Sequence, residues 1–423
     1  MLSKQTQPLL LPGAAVVRGS EASRKLVAAW ALLRDRWREE PSDETREVRD
    51  LPHYRSVEEM VTLVQPSESV FCMRLAEFGR LAERFAASFP GKVLYAVKCN
   101  PHPEILRALY RAGVRDFDVA SVEEIALVQK LFGQDAQVAF NNPAKSRAAI
   151  HRASRLNGVR HYVVDHASEL AKLVALGDPE IVVAVRLATS SNQARYDLST
   201  KFGATPEEGV VMLRAAHRAG LRAGLAFHVG SQCLAPQCFA DALALCREVI
   251  RAAEVPISLL NVGGGFPAPY PGDETVSLDH YVAAIVDGYR SLELPADCQL
   301  LCEPGRALVA TAASVVVQVV LRKDQRLYMN DGIFGSLSEL RSPKEKRPAK
   351  LLRSNRPFSS DLCAFKTYGP TCDSDDVLGA PLLLPVDTEE GDWIEIGMMG
   401  AYSAALTTRF NGFSCGRFVS LDV

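Results

Sequence analysis

From about Pro66 to Leu308, short apolar runs alternate with helical stretches, and this alternation limits the fold more than any other feature. The runs fall at residues 93–97, 117–120, 138–140, 162–164, 181–187, 225–229, 259–262 and 299–302, with helical periodicity between them, as at 104–112 and 122–132. Strand–helix alternation kept up for this long predicts a closed (β/α)8 barrel rather than an open sheet. No GxGxxG opens the first βα unit, which argues against a dinucleotide fold. Beyond Leu308 the texture turns β-branched, at 314–321, 326–330 and 393–396, and helical periodicity fades. The expected organisation is an N-terminal extension (1–66) partly joining the β domain, a barrel (67–310) and a C-terminal all-β domain (311–423). Residues 22–39 are amphipathic and predict a helix. The basic stretch 344–356, between Pro343 and Pro357, reads as an exposed loop.

The ends of the apolar runs carry the chemistry. Lys98 follows the first run, in Tyr95-Ala96-Val97-Lys98-Cys99-Asn100. A lysine partly desolvated at a barrel mouth is expected to have a lowered pKa and to attack carbonyls as a free amine. The plainer alternative is a lysine snorkelling to water. His228-Val229-Gly230-Ser231, Gly263-Gly264-Gly265-Phe266-Pro267 and Glu303-Pro304-Gly305-Arg306 each follow a later run, so one mouth can gather them. Successive glycines let backbone N–H groups close on a phosphate, although they equally suit a tight strand-to-helix turn. Glu303 reads either as a buried carboxylate with a task or as a rim partner of Arg306. His228 alone would pass for a structural hydrogen-bonder.

Together with Gly369-Pro370-Thr371-Cys372-Asp373, Gly400-Ala401-Tyr402 and Phe410-Asn411-Gly412-Phe413, these motifs resemble, in order, the ornithine/diaminopimelate/arginine decarboxylases of pyridoxal-phosphate fold-type III. The likeness runs from about Ser67 to Phe413 and is nearest the ornithine decarboxylase branch. It implies pyridoxal 5'-phosphate as cofactor, with Lys98 as the Schiff-base lysine. Gly263, Gly264, Gly265, Ser231 and Arg306 would form the phosphate cradle, Glu303 the partner of the ring nitrogen and His228 the stacking imidazole. Asp118 and Arg186 match positions around the ring, and Tyr402 would close the site from the β domain. The resemblance also implies a homodimer in which Cys372 and Asp373 reach into the neighbour's site. Cys372 would be the general acid, and Asp373 would meet the distal ammonium of a diamino acid. Lys201 and Asp376, or the neighbouring Asp375, match the family's pair between subunits.

One departure concerns the substrate. The family commonly follows its Asn-Asp-Gly strand with a Tyr-Asp pair, whereas here Asn330-Asp331-Gly332 leads into Ser338-Glu339-Leu340-Arg341-Ser342-Pro343 and the second acid is missing from its place. Glu339 is a candidate replacement acid. Arg341 would instead suit a distal carboxylate, as in a larger amino-acid conjugate of a siderophore or antibiotic pathway. A third reading, a decarboxylase-like binding protein without catalysis, is expected to have lost the lysine, cradle or cysteine, all of which are intact. Alanine racemase shares the architecture but not this motif set. With net charge −2 in 423 residues, the composition gives no electrostatic footprint for nucleic acid or an anionic membrane. No CxxC pair or metal-ligand spacing occurs among the ten cysteines, so no metal is expected and the cytoplasm is the expected compartment.

Overall fold

In the computed structural model, which describes residues 51–189, 193–354 and 356–422, the eight apolar runs form a closed parallel barrel. Its strands are β1 (Lys92–Ala96), β2 (Asp116–Val119), β3 (Gln137–Phe140), β4 (His161–Val164), β5 (Val182–Arg186), β6 (Arg222–Ala226), β7 (Leu259–Asn261) and β8 (Gln299–Cys302). Each pairs with its successor in parallel, and β8 returns to β1. Side chains alternate across each strand. Leu94, Ala139, Val163, Ala184, Ala226, Leu259 and Leu301 form one buried cluster in the barrel interior. Tyr95, Phe117, Phe140, Tyr162, Val183 and Leu225 belong to the larger core shared with the helices. Burial on both faces is why these strands read as continuous apolar runs instead of alternating ones.

Helix starts follow local chemistry. Ser121 caps Val122–Phe132 by accepting from the Glu124 N–H, and Thr205 with Glu208 forms a capping box ahead of Pro206–Arg218. The predicted helix over 22–39 lies outside the described residues.

Among the described residues, nine strands build a second sheet. Val70–Met73 lies in its middle, between Arg417–Leu421 (parallel) and Ala313–Lys323 (antiparallel), while His53–Tyr54 pairs with Arg417–Leu421. Segments from both ends of the chain therefore close the same sheet. One expectation needs correcting: the basic stretch 344–356 is not a free loop. Ala349–Leu352 pairs with Trp393–Ile396, and Glu345 and Arg347 are buried. The reason is pairing: Arg353 meets Asp387 (2.9 Å) and Asp392 (2.5 Å), and Arg347 meets Glu345 and Glu339. Most of these acids lie outside the basic stretch, so its composition overstated its exposure.

The sheet is seated directly on the end of β1. Asn100 Nδ2 donates to the Gly400 carbonyl (2.9 Å), and the Tyr402 N–H donates to the Cys99 carbonyl (2.9 Å). These bonds bring a β-domain tyrosine to the barrel mouth beside Lys98. Among the described residues no helix is long and apolar enough to cross a membrane.

Candidate active site

Lys98 stands in the short 3-10 turn Val97–Cys99 that ends β1, and its Nζ donates to Asp118 Oδ2 at 2.8 Å. Asp118 is buried at the end of β2. This geometry reverses the expected pKa shift. Burial alone pulls the ammonium down, but Asp118, Tyr402 and Glu303 outweigh it and the net shift is upward. In the cofactor-free chain Lys98 is therefore a paired ammonium, and it must shed its proton before it can attack a carbonyl.

Glu303 follows β8. Its Oε1 accepts from Asn141 Nδ2 at 2.7 Å and from Asn261 Nδ2, two amides at the ends of β3 and β7. Burial, with Asp118 adding to it, pushes the carboxyl up to about 7, while Lys98, the Asn261 hydrogen bond and Arg186 pull the other way. Glu303 is not the rim partner of Arg306, which pairs with Glu339 instead. The carboxyl thus sits ready to share a proton with a basic ring nitrogen near neutral pH.

A stability prediction follows. The folded chain holds Glu303's proton up to about pH 7, against an ordinary 4.5. This contribution is fully present below pH 4.5 and is lost as pH rises through 7. Glu303→Gln should match the parent near pH 4.5 and exceed it at pH 7.5 by on the order of 2 kcal/mol in urea unfolding of cofactor-free protein. Equal stability at both pH values would mean that the carboxyl is not strained by its site.

The glycine loop is locked in place by its neighbours. Gly263 and Gly265 have φ of +67° and +101°, and a Cβ on either would strike a backbone carbonyl, of Phe227 or Gly230. A Cβ on Gly264 would stand 2.6 Å from the Glu303 carbonyl oxygen and 3.1 Å from His228 Nε2. His228 accepts from the Gly230 N–H at 3.1 Å, and burial, Arg186 and Lys98 hold its pKa well below 6.5, so the ring is neutral. Arg306 Nη2 reaches Ser231 Oγ at 3.4 Å, and its guanidinium lies 4.9 Å from the centre of the Tyr402 ring.

These groups surround one cavity of about 280 Å³, whose walls include Lys98, Asn141, Arg186, His228, Glu303 and Arg306. Three of them carry buried polar atoms without partners: Asn141 Oδ1, Arg186 Nε and Arg306 Nε. A buried donor or acceptor left unmet is costly, so the cavity is built for a polar occupant. An anion-accepting glycine turn with an arginine, a flat neutral imidazole, a lysine and a proton-sharing carboxyl together fit pyridoxal phosphate.

Several expected residues lie elsewhere. Cys372 and Asp373 are exposed and line no part of the cavity, and the Cys372 N–H donates to Asn411 Oδ1 at 3.1 Å. Glu339 is not free to meet a substrate, because both oxygens are held by Arg306 and Arg347. Arg341 is exposed, 5.5 Å over the Phe334 ring, and away from the cavity, which removes the motive for a carboxylate-bearing substrate. Lys201 does line the cavity rim. Asp376, its expected partner, is buried and accepts from the Ile333 N–H (3.0 Å), the Thr371 N–H (3.0 Å) and Thr371 Oγ1 (2.7 Å), while the alternative, Asp375, is exposed. Residue-by-residue reading missed Asn141, Asn261 and Tyr270, whose hydroxyl accepts from Arg306 at 2.9 Å. The only signal for the two asparagines was an amide placed where an apolar run ends.

A barrel whose mouth presents this lysine, glycine turn and proton-sharing carboxyl defines a pyridoxal-phosphate enzyme with an appended β domain. Comparison with known proteins agrees: the family described as "Pyridoxal-dependent decarboxylase, pyridoxal binding domain" matches residues 75–310. The lysine/ornithine decarboxylase of Selenomonas ruminantium is 35% identical over 331 residues, 76% of this chain and 81% of its own. Antizyme inhibitor 2 of Xenopus laevis is 30% identical over 383 residues, 84% and 82% of the two chains. The crystal structure of lysine/ornithine decarboxylase complexed with putrescine from Vibrio vulnificus superposes with a TM-score of 0.75 at 30% identity, covering 87% of this chain and 99% of that one. The chain belongs to the pyridoxal-dependent ornithine/lysine/arginine decarboxylase family, fold-type III, and its cofactor is pyridoxal 5'-phosphate.

Proposed function

We propose that this chain decarboxylates a basic L-amino acid, ornithine or lysine in the first place, to the diamine and CO2, and works as a cytoplasmic homodimer with shared active sites. The observation that carries this reading is the incompleteness of the cavity. Lys98, paired with buried Asp118 at 2.8 Å, and Glu303 line it, yet Cys372 and Asp373 of the same chain stay exposed outside. They sit beside Phe410 and Phe413, which are 41% and 43% exposed, an apolar surface suited to burial against a second copy. Lys201 at the rim and exposed Asp375 would pair across that contact. Residues 67–310 would carry the cofactor, and 311–423 would supply the acids to the neighbour, with 1–66 as an extension.

When bound, pyridoxal phosphate supplies an electron-accepting ring that takes up the pair left as CO2 departs. Lys98 would anchor it, Glu303 would hold a proton against its ring nitrogen, and His228 and Arg186 would fix its plane. Gly263–Gly265, Ser231 and Arg306 would bind the phosphate. Cys372 of a second copy would return a proton to the substrate carbon, and Asp373 of that copy would bind the distal ammonium. A relative named as an inhibitor means that likeness alone does not make an enzyme. The presence of Lys98, Glu303 and Cys372 in this chain supports catalysis.

Asp373→Asn should raise KM for ornithine and lysine at least about 30-fold with a smaller change in kcat, because a desolvated ammonium loses its charge partner. Arg341→Ala should leave both constants near the parent's. An unchanged KM in Asp373→Asn would place the distal ammonium elsewhere and reject this reading of specificity.

A further inference from the structure

The arginine assigned to the phosphate already has an anion. Glu339, in the β-domain turn Ser338–Arg341, sends both carboxylate oxygens to Arg306: Oε1 accepts from Nη2 at 2.6 Å and Oε2 from Nη1 at 2.8 Å. Oε2 also accepts from Arg347 Nη2 at 3.2 Å. Arg347 stacks 3.6 Å over the Tyr270 ring and donates to Glu345 at 2.5 Å. Glu345 in turn accepts from Arg195 and from the Tyr196 hydroxyl, both at 2.9 Å, and Arg195 closes the chain on Asp273.

Three arginines therefore face three carboxylates, and the network balances without any bound anion. That balance matters because Arg306 is only 4% exposed and Glu339 11%, so either charge left alone would be strongly destabilising. The donors of Arg306 are divided accordingly. Both Nη groups are committed to Glu339, Tyr270 and Ser231, while Nε is buried without a partner. One donor remains for an incoming phosphate, on a guanidinium whose charge Glu339 already offsets.

We propose that Glu339 is a resident counter-anion for Arg306, keeping the empty phosphate site charge-balanced and folded and then sharing the guanidinium with the phosphate once it binds. This rests on the reading of Arg306 as the phosphate arginine. Glu339 is on this view a positioning residue that weakens phosphate binding in return for a stable cofactor-free chain. A carboxylate held against the same cation repels a second anion there, and removing it should strengthen the phosphate's hold.

The test is thermal unfolding of parent and Glu339→Gln in chloride buffer, titrated with inorganic phosphate and separately with pyridoxal phosphate. Without phosphate, Glu339→Gln should melt at least about 5 °C lower than the parent. The rise in Tm with phosphate should be larger in Glu339→Gln, so that the two proteins converge when saturated. Its phosphate Kd should be about tenfold tighter. Recovery of the variant only from phosphate-containing buffer, followed by unfolding on dialysis into chloride, would support the proposal equally. Should Glu339→Gln fold in neither buffer, Glu339→Asp, with its withdrawn carboxylate, must give a larger phosphate-induced rise than the parent. An equal fall in Tm with and without phosphate, or weaker phosphate binding in either variant, overturns the counter-anion role. If phosphate protects no form of the protein, parent included, the assignment of Arg306 to the phosphate fails first.

Discussion

Lys98→Ala is expected to leave the barrel folded and to cut CO2 release below about 10⁻⁴ of the parental rate, since the positioned nucleophile that anchors the cofactor is gone. Two lysines line the cavity, Lys98 and Lys201, and the geometry separates them. Lys98 reaches inward to buried Asp118 at 2.8 Å, within the electrostatic reach of Glu303, whereas Lys201 lies 5.0 Å over the Phe202 ring. Borohydride treatment of the cofactor-loaded parent should fix the cofactor's mass on the peptide containing Lys98. The same treatment should leave Lys98→Ala unlabelled and Lys201→Ala labelled. Circular dichroism should be parental in both variants. A label on Lys201, or substantial turnover by Lys98→Ala, would displace Lys98 from its role.

Much of the barrel was legible because its strands are buried on both faces. A run such as 93–97 has no polar residue to interrupt it until Lys98, and the polar residues that end such runs are the ones the barrel gathers at its mouth. The positions of His228, Glu303 and the glycine turn follow from that one regularity, whereas Asp118 and Arg186 stand inside their runs and were placed by the family resemblance. What stayed hidden depends on pairings between distant parts of the chain. Glu339 looked like a substrate acid because its partner Arg306 stands on the other side of a domain change, and no spacing announces the pair. Glu345 and Arg347 lay in a stretch that reads as solvated, since most of the charges that neutralise it are far away in sequence. The pKa of Lys98 went up, not down, because desolvation is visible in an apolar run while the Asp118 contact is not. The carboxylate of Asp376 also serves its own loop, in bonds to backbone N–H groups that the sequence does not display.

The most direct test of a decarboxylase site built from two copies of this chain is complementation between Lys98→Ala and Cys372→Ala. The parent should release CO2 from ornithine or lysine when supplied with pyridoxal phosphate. Cys372→Ala should lose roughly 10²–10⁴-fold in rate, the scale of a missing general acid. Mixed after verified subunit exchange, half of the dimers pair one copy of each variant. Each such dimer carries one site with both Lys98 and Cys372 intact and one with neither. Activity should therefore return to about a quarter of the parental level, far above either variant alone. No recovery in verified mixed dimers, full activity from a monomer, or a parent that binds pyridoxal phosphate yet releases CO2 from no basic amino acid would contradict it.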